Sequence, residues 1–475
     1  MTPQPIRIPD TMLAWPLYGA GLENLGRYGQ PETWPVPHPA PDQILVRSDA
    51  VGLCYSDVKI LRQGGSHPRL YGRNLAERPI VQGHEVALTV VEVGEAWRDT
   101  FAPGQRFAMQ ADIYYRGRNL AYGYVFHGGL SQYNLLGPAA LDGDEGCYAI
   151  PVPGDMGYAE VALTEPWACV VAAFVPRRRL HIKKDGVTWI VGRPGLGGEY
   201  TLGGAFHHGL PQHVVATDVP ESLLTQIAWP EVIRRDGVPP EGYTALAQEL
   251  ASGGFDDIIV LDPTPEVLDR LPAVIASGGL VNLVGERPLG RPVAVDVGRV
   301  HYDAVVYVGT RGPDLSAAYG SGAVAGGALR NRTEVVPGGV AWIVGGGGPM
   351  GRMHLQRLLE MPQGPRRIIV SETNLVRNPE LVADFGPLAE RRGIELTVVN
   401  PKLMTPEEHE AALVAAHEGC GFDDVVVVVA NVAAVESAAQ HLAPHGLLVV
   451  FGGLARGTVA QLDLSNVYLG GMQMT

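Results

Sequence analysis

Residues 187–198 read VTWIVGRPGLGG and residues 340–351 read VAWIVGGGGPMG, one phrase written twice in the same chain. Each is an apolar run suited to a buried strand, broken by glycines where the chain must turn. The repetition continues beyond the loop. SGGFDDIIVLDPTPEVLDRLPAVIASGGLVNLVGE (252–286) parallels GCGFDDVVVVVANVAAVESAAQHLAPHGLLVVFGG (419–453). Phe255 pairs with Phe422, Gly279 with Gly446, Gly285 with Gly452 and Asp296 with Asp463, all 167 positions apart, while Trp189 and Trp342 stand 153 apart. Two copies at this period indicate a duplicated domain rather than a solenoid. In both, apolar strands such as IIVLD, VNLVGE, IIVSE and VVVVVAN alternate with helical stretches, the pattern of parallel βαβ units.

Before about residue 175 the texture differs. The chain there is rich in Pro, Gly and Tyr, and β-like runs such as QILVRSDAVGL and ALTVVEVGE are separated by turn signals, as in a mostly β domain. The expected organisation is α/β in three blocks: a mostly-β domain over 1–178 and two Rossmann-type doubly wound parallel-sheet domains over 179–325 and 326–475. The Gly/Ala stretch AAYGSGAVAGGALRN (317–331) is the expected linker. The chain stops at Thr475 inside what reads as the last strand of the third block, as a fragment or a rearranged protein would.

The two glycine loops are not equivalent. In the later copy Gly346, Gly348 and Gly351 satisfy GxGxxG between a strand and RMHLQRLLE, with Met350 inside the loop. Gly346 permits the tight turn, Gly348 close approach to a pyrophosphate, and Gly351 close helix–strand packing. Glu372, 21 residues past Gly351, ends the next strand, where a carboxylate accepts from ribose hydroxyls and favours NAD(H) over NADP(H). The earlier copy places Arg193 in the turn, at a cost of about 1–2 kcal/mol if the backbone must be left-handed. It has Glu199 where the later copy has Arg352, and its helical stretch EYTLGGAFHHGL carries Gly203, Gly204 and Gly209, each worth roughly 1 kcal/mol against Ala. Asp218 still ends its second strand. Only the later copy is expected to hold a dinucleotide, the earlier serving as a structural relic or an interface domain.

Composition narrows the function. A net charge of −14 argues against nucleic acid, and the short Arg clusters at 177–179 and 391–392 read as solvated helix ends. Four dispersed cysteines (Cys54, Cys147, Cys169, Cys420) make neither a disulfide framework nor a four-cysteine zinc site. No signal peptide and no apolar stretch of about 18 residues is visible, so a cytoplasmic protein without membrane association is expected.

Chemistry concentrates in the first block. GLCYSDVK (52–59), VQGHEV (81–86) and LTEPWACV (163–170) bring a thiol, an imidazole and carboxylates, all zinc ligands: Cys54, His84, Glu165 and, beside His84, Glu85. Pro166 suits the first position of a helix, which would place Glu165 at its mouth. Asp57 reads equally well as a turn cap or as a group orienting a metal ligand.

Together with PGQRFAM, GGLSQY and GGGGPMG, these segments resemble the zinc-dependent medium-chain alcohol/polyol dehydrogenases, nearest the sorbose-1-phosphate reductase branch, over about 40–175 and 330–475. The resemblance implies a GroES-like catalytic domain, one catalytic Zn²⁺ on Cys54, His84 and Glu165 with Glu85 adjacent, and NAD(H) on the later glycine loop. It implies no structural zinc, because the corresponding lobe lacks cysteine here. The implied activity is hydride transfer between NAD(H) and the CH–OH group of a polyol, sugar or sugar phosphate, with Ser56 and Lys59 relaying the proton and Asp57 orienting a ligand. The partners are then a small alcohol or carbonyl substrate and further copies in a homo-oligomer. Arg69, Arg73, Arg116 and Arg118 are placed either to meet a phosphate or simply as solvated loop charges. A dinucleotide-binding scaffold that has lost turnover remains open at this point.

Overall fold

In the computed structural model, which describes residues 7–175, 179–323 and 329–475, QILVRSDAVGL and ALTVVEVGE form β1 (Ile44–Gly52) and β2 (Glu85–Val93), paired antiparallel. With β3 (Arg106–Met109), β4 (Tyr133–Leu136) and β5 (Ala149–Pro151) they make a five-stranded sheet ordered β4-β1-β2-β3-β5. Alternate residues Ile44, Val46, Val86, Leu88 and Val90 line one core, as the period-2 pleat requires. This sheet belongs to the first of two compact units, Met1–Cys169 and Val170–Thr475. Helix α1 (Tyr55–Gln63) starts directly after Cys54.

Helix α2 (Tyr158–Ala172) corrects the sequence reading of its start. It begins well before Pro166, which lies inside it. The residues YAEVALTE are good helix formers, and the Glu160 carboxylate accepts the Gly157 amide at 2.8 Å as a start signal. Pro166 then removes one interior N–H without stopping the helix. Glu165 therefore sits mid-helix, half-buried, rather than at a helix mouth.

The second unit contains two six-stranded parallel sheets. The first uses β6 (Val187–Val191), β7 (His213–Thr217), β8 (Glu231–Arg234), β9 (Phe255–Leu261), β10 (Ile275–Val284) and β12 (Val306–Thr310), ordered β8-β7-β6-β9-β10-β12. The second uses β13 (Val340–Val344), β14 (Arg367–Ser371), β15 (Glu395–Val399), β16 (Phe422–Val427), β17 (Leu442–Val450) and β19 (Gln473–Met474), ordered β15-β14-β13-β16-β17-β19. The orders are the same, so the duplication is structural. Side-chain details repeat too. Trp189 Nε1 donates to Thr217 Oγ1 at 3.0 Å, and Trp342 Nε1 donates to Ser371 Oγ at 2.9 Å. Arg179 is ion-paired to buried Asp257, as Arg332 is to buried Asp424. Arg179 is thus a structural partner of a buried carboxylate and not a solvated helix end. Arg177 and Arg178 lie outside the described residues, as do 324–328 of the expected linker. Arg391 and Arg392 do end an exposed turn, that of α5 (Arg377–Arg392).

The copies diverge after their first strand. In the second, the glycine turn leads into α4 (Pro349–Glu360). In the first, residues 199–210 contain an isolated bridge at Thr201 and a turn over 203–208 but no helix, so the expected weakened helix is absent altogether. Gly203 at φ +54° and Gly209 at φ +155° take conformations no helix contains. Arg193 pays no backbone penalty, because the left-handed residue of that turn is Gly195 at φ +72°. In the second copy it is Gly345, at φ +86°, one residue before the expected Gly346.

Two short strands join the copies: β11 (Val293–Asp296), followed by α3 (Val297–Tyr302), pairs antiparallel with β18 (Val459–Leu462), followed by α6 (Ser465–Gly470). Phe174, two residues after α2, packs into the core of the second sheet with Leu355, Leu358 and Ile343.

Candidate metal and cofactor sites

Pairing of Gly52 with Glu85 across β1 and β2 places the residues beyond both strand ends side by side. There the donor atoms of Cys54, His84 and Glu85 lie within 4.8 Å of one another. A Cβ on Gly52 would stand 2.1 Å from Glu85 Oε2, so a side chain there would displace the Glu85 carboxylate from the cluster. Asp57, in the first turn of α1, caps the helix and also faces His84. Its Oδ2 accepts the Cys54 amide at 3.0 Å, and its Oδ1 accepts the Gly83 amide at 3.3 Å and faces His84 Nδ1 at 3.6 Å. Gln82, buried, donates to the Asp57 carbonyl at 2.8 Å.

Electrostatics shows what this trio lacks. Burial alone would lower the His84 pKa, but Asp57 and Cys54, with Glu165 beyond them, push it up to about 12. Glu165 is pushed up to about 7, first by burial and then by Glu85, Asp112 and Asp57, against the pull of His84. Burial also raises Glu85. Burial thus disfavours charge on both carboxyl groups in the absence of a cation, and a thiol, an imidazole and a carboxylate suit a borderline-soft divalent cation. The residues fit zinc. Glu165 couples electrically to the trio but is not part of the converging group among the described residues.

Around the trio, Ser56 and Lys59 are half-buried on α1. Ser56 lies close enough to Tyr124 to favour its ionisation against burial, and the Tyr124 ring centroid lies 5.8 Å from that of His84 and 5.7 Å from that of His67. The Lys59 ammonium lies 5.7 Å from the Tyr55 ring centroid. Arg69 stands 4.6 Å over the Tyr124 ring and is ion-paired with Asp112. The sequence reading missed Tyr124, which is 68 residues from Ser56 and sits in a tyrosine-rich segment with no local signal. The other arginines behave differently: Arg73 donates to the carbonyls of Arg78, Pro79 and Val125, while Arg116 and Arg118 stack on Tyr115 and Tyr71.

In the second copy, Gly348 caps α4, with Pro349 as its first residue and Met350 half-buried in its first turn. A Cβ on Gly351 would lie 2.6 Å from the Gly345 carbonyl oxygen, and one on Gly346 2.2 Å from Val370, so both positions need glycine. Gly348 faces open space, its nearest neighbour being Arg377 Nη1 at 3.7 Å from an added Cβ. Glu372 is buried and accepts the amides of Gly347 at 2.7 Å and Asn374 at 2.8 Å. Arg352 is ion-paired with Asp384 on α5, so its charge is directed away from the loop; Arg377 is the cation beside Gly348. In the first copy the equivalent strand ends are tied by ion pairs, Asp262 with Arg193 at 2.9 Å and with Arg287 at 2.6 Å. With no helix N-terminus there, that crevice lacks the usual seat for a pyrophosphate.

The family profile of the alcohol dehydrogenase GroES-like domain matches residues 40–151. The chain is 30% identical over 311 residues to L-sorbose 1-phosphate reductase of Klebsiella pneumoniae, covering 60% of this chain and 74% of that protein. It is 28% identical over 310 residues to mannitol-1-phosphate 5-dehydrogenase of Aliivibrio fischeri, covering 60% and 71% respectively. Among solved structures, 2R,3R-butanediol dehydrogenase from Bacillus subtilis aligns with 82% of this chain and 99% of its own length, at 17% identity and a TM-score of 0.29. No helix among the described residues is long and apolar enough to cross a membrane.

Proposed function

The chain belongs to the zinc-dependent medium-chain alcohol and polyol dehydrogenases, and on that premise we propose that it interconverts a secondary alcohol and a ketone on a polyol, sugar or sugar phosphate, using NAD(H). The three-block division at 178/179 and 325/326 belongs to this reading, with zinc in the first block, the dinucleotide in the third and neither in the second. The observation that carries it is the convergence of Cys54, His84 and Glu85 within 4.8 Å, inside the segment matched by the GroES-like profile. Cys54 and His84 would hold the metal, joined by Glu165, with Glu85 at or beside it. Gly346, Gly348, Met350, Gly351 and Glu372 would hold the cofactor. The phosphate option for the substrate draws on the two relatives, named for a sorbose phosphate and a mannitol phosphate.

When bound, zinc supplies Lewis acidity toward the substrate oxygen and NAD(H) supplies the hydride chemistry. The protein's part is positioning and proton traffic. Asp57, whose Oδ1 faces His84 Nδ1 at 3.6 Å, would orient the imidazole once a metal is bound. The Ser56 hydroxyl, near Tyr124, would pass the substrate proton outward, with Lys59 one helical turn on as its terminus. Glu372, fixed by two amides, would receive the ribose hydroxyls.

The test is zinc analysis of the purified protein together with NADH oxidation against ketoses and their 1-phosphates. About one equivalent of zinc, lost in Cys54→Ser, and turnover with at least one ketose support the reading. Zinc-free protein that binds NADH without oxidising it would instead describe a scaffold.

A further inference from the structure

The two sheets of the second unit meet through strands that are each other's counterparts. Across β11 and β18, Val293 lies opposite Leu462, Ala294 opposite Gln461 and Val295 opposite Ala460. Ala294 and Gln461 are the same position in the duplicated sequence, 167 apart, so the register is centred on a local two-fold axis. In an isologous contact, position i of one partner meets j of the other, and j meets i. The flanking contacts are reciprocal in the same sense. From the first copy, α3 lies against the segment after β17: His301 Nδ1 is 3.1 Å from the Val450 carbonyl oxygen, and Asp303 pairs with Arg456 at 2.6 Å. A Cβ on Gly298 would stand 2.0 Å from the Ala455 carbonyl oxygen. From the second copy, α6 lies against the segment after β10: Ser465 Oγ accepts the Leu289 amide at 2.8 Å, and the Tyr468 hydroxyl donates to the Arg287 carbonyl at 2.6 Å. Trp189 and Phe255 from one copy share a single apolar core with Trp342 and Phe422 from the other.

Such symmetry is what two identical surfaces produce when they associate, and it is foreign to two unrelated domains in contact. We infer that the first copy is an internal dimerisation partner: residues 179–323 occupy the face of the second copy that a second identical chain would otherwise take. Covalent linkage makes that association independent of protein concentration. The role explains what the first copy has kept and lost. Its sheet order and strand β11 persist, whereas the helix after β6, whose N-terminus would seat a phosphate, is gone. The contact also braces residues 451–458, which follow the carboxyl end of β17, where parallel sheets of this kind bind their ligands. The first copy thus acts on the working copy by holding this loop, with no ligand of its own. This inference stands apart from the zinc and NAD(H) assignments, and its test reads neither.

The full-length Ala294→Cys/Gln461→Cys variant is cross-linked with a short bis-maleimide, which alkylates both thiols, alongside the unsubstituted protein as control for Cys54, Cys147, Cys169 and Cys420. The expected product joins 294 to 461 within one chain, at the mass of one chain. A product joining 294 of one chain to 461 of another would overturn the inference. Amide exchange in β11 and β18 of the unmodified protein decides independently of the variant's folding. Protection should be unchanged on dilution from micromolar to nanomolar, and its loss on dilution would mean that the contact forms between chains.

Discussion

The Gly347 amide donates to Glu372 Oε2 at 2.7 Å, so the glycine loop and the end of the second strand are locked together without a cofactor. The Glu372 carboxylate is therefore fixed in place, and a 2′-phosphate brought to it meets like charge, worth about 4 kcal/mol at 4 Å and an effective dielectric of 20. NADH should bind more tightly than NADPH, and Glu372→Gln should narrow the preference by about tenfold or more. Fluorescence titration with both cofactors measures this. Tighter binding of NADPH by the unmodified protein would instead assign the pocket to Arg377.

Asp57→Asn keeps the side chain's size but removes the carboxylate that faces His84. Zinc affinity, measured by competition with a chromophoric chelator, should fall by about 10- to 100-fold with the fold intact. Unchanged affinity would reduce Asp57 to the cap of α1.

What the sequence revealed and what it hid follow from the range of the interactions. The duplication was legible because Trp189 and Trp342, or Phe255 and Phe422, fill equivalent core positions that tolerate little change. The candidate cluster was legible because Cys54 and His84 carry chemistry that few other residue types supply. Neighbours across the chain were not legible. Nothing local in VAVD or VAQL says that β11 and β18 pair, and nothing near Arg352 says that Asp384 takes its charge. The start of α2 was misplaced because Pro166, a strong local signal, was outweighed by the helix formers before it. The lost helix after β6 was read only as a weakened one, because glycine counts give a cost and not the conformation that replaces the helix.

His354, on α4, is buried between Phe174 and Phe451, and neither ring nitrogen has a hydrogen-bond partner. Burial, helped by Arg357, lowers its pKa to about 3. The folded value lies below the unfolded one near 6.5, so the unfolded chain takes up the proton first. Stability is then unaffected above about pH 6.5 and is lost as the pH falls from there toward 3. His354→Leu should flatten this acid limb and stabilise the protein by about 1–3 kcal/mol at neutral pH, by removing an unpaired buried polar group. Urea unfolding at pH 7.5 and pH 5 checks both effects; an equal loss on acidification in the variant would locate the limb elsewhere.

Arg69 is the arginine poised near the metal trio, through Tyr124. If the substrate carries a phosphate, Arg69→Leu should raise KM for the phosphorylated ketose by about 10- to 100-fold, the value of one charged hydrogen bond, and leave KM for the free ketose unchanged. Equal effects on both substrates would make Arg69 a structural partner of Asp112.

The claim that one copy works and the other only supports it is tested most directly by NADH calorimetry on two variants. Gly348→Val places a side chain in the open space at the α4 N-terminus, and Gly197→Val places one in equally open space in the first copy's loop. Neither position has the left-handed backbone that would strain valine, so both variants should fold. The unmodified protein should bind one NADH per chain, Gly348→Val should lose it, and Gly197→Val should retain it unchanged. Binding retained in Gly348→Val and lost in Gly197→Val would contradict the account and make the first copy the working one.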